Sequence, residues 1–132
     1  METDIIIIGA GASGLMSAGT AAGRGKKVLV LEKMQRPARK LRITGKGRCN
    51  LTNIASPAEF MKHIGPDGRF LKFAFSTFFS GDLIKFFENI GVPTVTEQGG
   101  RVFPSSESAQ EIVDSLVKWA KKQGAEIICK KL

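Results

Sequence analysis

The sequence is poor in the residues that mark disulfide-rich or metal-binding domains. It holds two cysteines, Cys49 and Cys129, 80 positions apart, with no C-x-x-C pair and no histidine at ligand spacing. A zinc site and a disulfide framework are therefore not expected, and no metal ligand is assigned. The single histidine, His63, has no acid or nucleophile pattern around it and reads as a surface or core residue rather than a catalytic one. No apolar run approaches the ~18 residues of a membrane span; the longest early one is Ile5 to Ile8. The opening METD lacks the basic start and apolar core of a secretory signal, so a cytoplasmic protein with no membrane partner is expected. Acids are missing between Lys33 and Arg48, where seven basic residues stand: Lys33, Arg36, Arg39, Lys40, Arg42, Lys46 and Arg48. Aromatic residues are missing there too, which removes the stacking surface of a single-strand nucleic-acid site, and no nucleic-acid partner is expected.

What is present suits one soluble domain. The length is 132 residues, with 42% hydrophobic and 24% charged content and a formal charge of +8, which favours an anionic partner without naming it. DIIII reads as a strand buried on both faces of a parallel sheet. GAGASG follows at once, then a small-residue helix over Leu15 to Ala22, closed by Gly23 and Gly25. KVLVL, Lys27 to Leu31, is a second buried strand ending at Glu32, which completes a βαβ unit.

Residues 33–55 show no hydrophobic period and read as a long functional loop. Ser56-Pro57-Ala58-Glu59 predicts a capping box opening a helix to about Ile64. Two more helices are expected over Arg69–Phe78 and Gly81–Ile90, their phenylalanines (70, 73, 75, 78, 79, 86 and 87) forming a local core. Val95 to Phe103 predicts a hairpin across Gly99-Gly100. Ser106 to Gln123 predicts a helix whose apolar stripe is Ala109, Ile112, Val113, Leu116 and Ala120, and Ala125 to Cys129 a third strand. The organisation is thus 1–55, a fingerprint with a second glycine-rich loop; 56–104, a helical insertion with a hairpin; and 105–132, a helix and strand. A three-stranded α/β sheet is small, and the chain reads as the opening part of a larger protein.

Gly9, Gly11 and Gly14 form G-x-G-x-x-G between a strand and a helix, the context that motif needs. Gly9 permits the tight turn, Gly11 lets backbone amides approach a pyrophosphate, and Gly14 lets helix and strand pack closely. Amides and helix dipole would hold the phosphates. Glu32, 18 residues beyond Gly14, is placed to accept from a ribose diol and disfavours a 2′-phosphate. TGKGRCN, Thr44 to Asn50, is not a Walker A loop, because Gly47 follows Lys46 where Ser or Thr is required. The fingerprint alone leaves FAD and NAD both open.

Four stretches carry a more specific resemblance: DIIIIGAGASGLMSA, VLVLEK, RKLRITGKGRCNLTN and FFENIGVPTVTEQGGRVFPSSESA. Together they resemble the aminoacetone oxidase-like, or BaiN-type, bacterial NAD(P)/FAD-dependent oxidoreductases of the two-dinucleotide-fold class. The resemblance runs the whole length and corresponds to the family's N-terminal FAD-binding part. Ala38 and Lys46 stand where relatives often have glycine. The resemblance implies FAD as cofactor, with NAD(P)H as candidate reductant and a small-molecule substrate. It assigns the FAD pyrophosphate to Gly9, Gly11, Ala12, Ser13 and Gly14, and the adenosine ribose to Glu32 and Lys33. The ribityl and ring side falls to Lys40, Leu41, Gly45, Gly47, Arg48, Cys49 and Asn50. Cys49 lacks a partner thiol nearby and reads as a small packed residue. An NAD-binding sensory module and a nucleic-acid-binding protein using 33–48 remain as alternatives. No catalytic residue is assigned, and the 132-residue chain is expected to be inactive alone.

Overall fold

In the computed structural model, which describes residues 2–130, four successive isoleucines form β1 (Ile5–Ile8). Their β-branching favours extended backbone. The chain turns through Gly9, at φ +95°, and enters α1 (Ala12–Gly23), three residues before the expected start. It returns as β2 (Val28–Glu32), parallel to β1, with Ile5 opposite Val28 and Ile8 opposite Leu31. The next segment is not the structureless loop expected. It contains α2 (Arg39–Ile43), a 3-10 turn over Thr44–Gly47 and β3 (Thr52–Asn53). Elements this short leave no readable hydrophobic period, because fewer than two helical turns repeat nothing.

α3 (Pro57–Lys62) starts where the cap predicts: Ser56 Oγ accepts from the Glu59 amide at 3.2 Å. The Glu59 carboxylate accepts from Lys62 Nζ at 2.8 Å instead of returning to the cap, so half of the box forms. The helix expected over 69–78 is divided into a 3-10 segment, Pro66–Leu71, and α4 (Lys72–Thr77). α5 (Ser80–Asn89) follows, with Asp82 Oδ2 accepting from the Phe79 amide at 2.9 Å. The expected hairpin is β4 (Thr94–Thr96) and β5 (Arg101–Pro104), and β3 pairs on the other side of β5. α6 (Ala109–Lys122) and β6 (Glu126–Cys129) complete the described chain.

Two sheets result. The parallel one has the order β1-β2-β6, and the antiparallel one β3-β5-β4. Helices α1 and α6 pack on one another and share a core with Ile5, Ile7, Val28 and Val30. Trp119 of α6 lies on Gly19 of α1, where a Cβ would come within 2.2 Å of the ring. The expectation that β1 is buried on both faces is corrected: Ile6 and Ile8 are 58% and 64% exposed, so the helices cover one face. The five predicted stripe residues of α6 are all buried, and they serve two cores. Val113, Leu116 and Ala120 face the parallel sheet, while Ala109 and Ile112 join Cys49, Phe87 and Val92 beneath the small sheet.

The phenylalanines divide. Phe86 and Phe87 are packed, Phe86 meeting Trp119 edge-on at 4.8 Å, and Phe75 and Phe79 each meet Phe60 edge to face. Phe70, Phe73 and Phe78 are exposed, contrary to the expected local core, because the 3-10 break rotates them out of the helical register. Among the described residues no helix is long and apolar enough to cross a membrane, and no group of three or more His, Cys, Asp or Glu side chains is placed to hold a metal ion.

Candidate functional site

The β1–α1 turn places the N-terminus of α1 at the carboxyl end of the parallel strands, where open α/β sheets bind ligands. Gly14 is required there by packing: a Cβ would lie 2.0 Å from the Gly9 carbonyl oxygen. Gly11 is different, since a Cβ on it would meet nothing within 4 Å and would project into open space. No side chain caps α1 and no acid occupies its first turn. The amides of Ala12, Ser13 and Gly14 therefore have no partner within the helix, and its positive dipole end is left for an anion.

Glu32 closes the other side. It is 8% exposed, and both its oxygens are engaged: Oε2 accepts from the Ala10 amide at 2.8 Å and Oε1 from the Met34 amide at 2.9 Å. The carboxylate thereby ties the glycine turn to the chain leaving β2. A carboxylate offers about four acceptor positions, so a pair remains for a diol. Ala38 supports the same turn by donating its amide to the Ala10 carbonyl at 2.8 Å, in a left-handed conformation at φ 56°.

Between these walls runs an open groove of about 850 Å³. Of the residues assigned from sequence, Gly11, Ala12, Ser13, Glu32, Lys33, Lys40 and Leu41 line it. Gly9 and Gly14 shape the turn behind it. Met34, Arg36, Ala38, Arg39, Ile43 and Thr44 line it as well and had not been assigned. Arg36 and Arg39 were visible as members of the basic run; the loop before α2 and the first turn of α2, which place them at the groove, were not.

The remaining loop residues are placed differently. Thr44 touches the groove, but Gly45, Gly47, Arg48, Cys49 and Asn50 are not among its walls. The backbone from Gly45 to Gly47 runs through three consecutive left-handed residues, with Lys46 at φ 56°, and Cys49 is left-handed again at φ 59°. Gly45 is further constrained, since a Cβ would sit 2.8 Å from the Asn50 amide nitrogen. This tight turn drives Cys49 into the second core, 1% exposed, where burial pushes its thiol pKa up despite the opposing hydrogen bond with Thr44. Arg48 is stacked 4.2 Å from the Phe103 ring centroid and hydrogen-bonds to Glu97 and, at 2.8 Å, to Glu107. Chiefly through the Glu97 bond its guanidinium pKa is raised further. The Asn50 amide nitrogen faces the carbonyls of Val102 and Thr52 at 3.2 and 3.0 Å. The half of TGKGRCN after Thr44 thus fastens the small sheet to the loop.

A family model described as the HI0933-like protein Rossmann domain matches residues 3–131. The ribosomal RNA dihydrouridine synthase of Escherichia coli (strain K12) is 35% identical over 120 residues, covering 90% of this chain and 29% of that protein. The 3-dehydro-bile acid delta(4,6)-reductase of Clostridium scindens is 35% identical over 124 residues, covering 92% of this chain and 29% of the reductase. The chain thus spans less than a third of the length of these relatives. Among solved structures, the 3-ketosteroid-delta4-(5alpha)-dehydrogenase of Rhodococcus jostii RHA1 superposes with a TM-score of 0.67 at 16% identity, covering 97% of this chain and 38% of that one. Thermovibrio ammonificans THI4 gives 0.65 at 19% identity, with the same shares. The parallel three-stranded sheet, the glycine turn and the match over nearly the whole chain lead to one conclusion, which bears out the resemblance read from the motifs: this chain belongs to the HI0933-like Rossmann-domain family.

Proposed function

We propose that this chain is the FAD-binding part of a flavin-dependent oxidoreductase. The observation that carries the reading is the groove in which the uncapped first turn of α1 faces the Glu32 carboxylate. The residues fit the adenosine diphosphate half of FAD: Gly11 leaves room for a pyrophosphate, the first-turn amides donate to it, and Glu32 keeps acceptor positions for the ribose diol. Lys33, Arg36, Arg39 and Lys40 surround the groove with positive charge suited to the phosphates. Bound FAD supplies hydride or electron transfer at its ring. The chain's own residues bind and orient it; Gly45, Gly47, Arg48, Cys49 and Asn50 act by holding the loop that lies beyond the groove.

NAD(P)H is the proposed reductant. Both named activities among the relatives, formation of dihydrouridine and a delta(4,6)-reductase step, are reductions of a carbon–carbon double bond, and the same class is proposed here. The acceptor is either a small molecule or a base within RNA. The cytoplasm is the proposed location, consistent with two unpaired thiols.

The test is a titration of the chain with FAD, ADP, FMN and NAD⁺, followed by amide NMR. FAD and ADP should compete for one site and shift the Ala12, Ser13 and Gly14 amides, while FMN, which lacks the adenosine half, should not compete. FMN binding at these amides, or NAD⁺ binding more tightly than FAD, would overturn the assignment.

A further inference from the structure

The cofactor groove continues into a basic surface that extends beyond the residues proposed to hold FAD. Arg36 and Arg39 line the groove and also a hollow of about 350 Å³ beside it, whose far wall is Arg42. Arg42 lines in turn a second hollow, of about 420 Å³, between α2 and α6, where Lys118 and Lys121 stand. Five cations, Arg36 just before α2 and the other four on α2 and α6, which pack together, therefore form one track leading away from the groove. Among the described residues none of the five is in an ion pair. The acid in the second hollow, Asp114, instead accepts from Gln110 Nε2 at 2.6 Å. Arg42 Nε is a buried donor without a hydrogen-bond partner. Asp114 offsets one of the five charges; the remaining like charges repel one another, and an anion that spans them relieves the repulsion.

We infer that this track grips the phosphate backbone of a folded RNA. The inference rests on the proposed function in its choice of RNA, and it names the macromolecule that carries the reducible base. Guanidinium groups match phosphate in paired hydrogen bonds, and three arginines in line suit successive phosphates. No aromatic side chain lines either hollow, so the contact is to backbone rather than to stacked bases. A lipid surface is the competing occupant, and because Ile43 of α2 is 73% exposed beside these arginines, the vesicle arm of the test separates the two.

The experiment uses the chain with a fluorescent RNA hairpin and measures affinity across a salt series. Arg42, Lys118 and Lys121 lie outside the cofactor groove, so R42Q/K118Q/K121Q should keep its ADP affinity. Its salt slope should fall by about three relative to wild type, one for each phosphate contact removed. If R42Q impairs folding, K118Q/K121Q, which changes only exposed side chains, should lower the slope by about two. An unchanged slope, or tighter binding of anionic-lipid vesicles than of the hairpin, overturns the inference. A wild-type chain that binds the hairpin but not ADP would sink the cofactor reading instead.

Discussion

Glu32 is the residue at which fold and function can be separated most sharply. Its carboxylate accepts two backbone amides, Ala10 at 2.8 Å and Met34 at 2.9 Å, and hydrogen bonds to charged groups contribute about 1.5–3 kcal/mol each. Ala10 is fully buried, so its amide loses its partner with no water to replace it, whereas Met34 is half-buried and can be rehydrated. Glu32→Ala should therefore cost about 3 kcal/mol, one full bond and part of the other. For a domain of this length that is a fall of about 12 °C in Tm, at ~4 °C per kcal/mol. Glu32→Gln keeps the shape but sets an amide NH₂ against an N–H donor, and should cost roughly 2 kcal/mol.

The ligand role needs a readout that a loosened turn would not imitate. Wild type should bind 2′-deoxy-ADP roughly 10-fold or more weaker than ADP, since a charge-assisted hydrogen bond is lost. Glu32→Gln should bind both nucleotides weakly and discriminate little between them, which is the coupling a double cycle isolates. Thermal melts by circular dichroism and nucleotide titrations on the same samples supply all the values. A variant that melts like wild type refutes the structural account. A variant that still prefers ADP by the wild-type ratio refutes the ribose contact.

Other outcomes follow from the same geometry. Gly14→Ala should destabilise by about 1–3 kcal/mol, because its Cβ collides with the Gly9 carbonyl, while Gly11→Ala should melt normally yet bind ADP poorly. Melting both and titrating both distinguishes the two glycines. Lys46→Gly should raise stability by about 0.5–1 kcal/mol in urea unfolding, since relief of a left-handed side chain exceeds the added freedom of the unfolded chain. Cys49 is held protonated by burial, so its contribution is complete below the ordinary thiol pKa of about 8.5 and is lost as pH rises through the elevated value. Urea midpoints should therefore fall more steeply above that pH in wild type than in Cys49→Ala, and parallel curves would refute it. Arg48→Ala leaves Glu97 and Glu107 uncompensated, so it should lower Tm more than it weakens ADP, a ranking that melts and titrations check directly.

Where the residues act on their sequence neighbours, the sequence alone determined the outcome. Four isoleucines make a strand, the glycines at 9, 11 and 14 make the turn behind it, and the 3.6-residue stripe of α6 puts Ala109 through Ala120 inside. Those are local rules of backbone freedom and periodicity, and they were sufficient for the parallel βαβ unit and for the position of Glu32. Tertiary structure decided what short or aperiodic segments do. α2 and β3 carry too few residues to show a period, so the groove wall formed by Arg36, Arg39 and Thr44 became visible only when the chain folded back on α6. The same is true of TGKGRCN, whose composition suits phosphate or flavin equally. Its left-handed run sends Cys49 into a core assembled from residues 87, 92, 109 and 112, and sends Arg48 to acids at 97 and 107. Partners 38 to 63 positions away leave no mark on a local pattern, because the free energy that selects them comes from burial and charge pairing between distant segments.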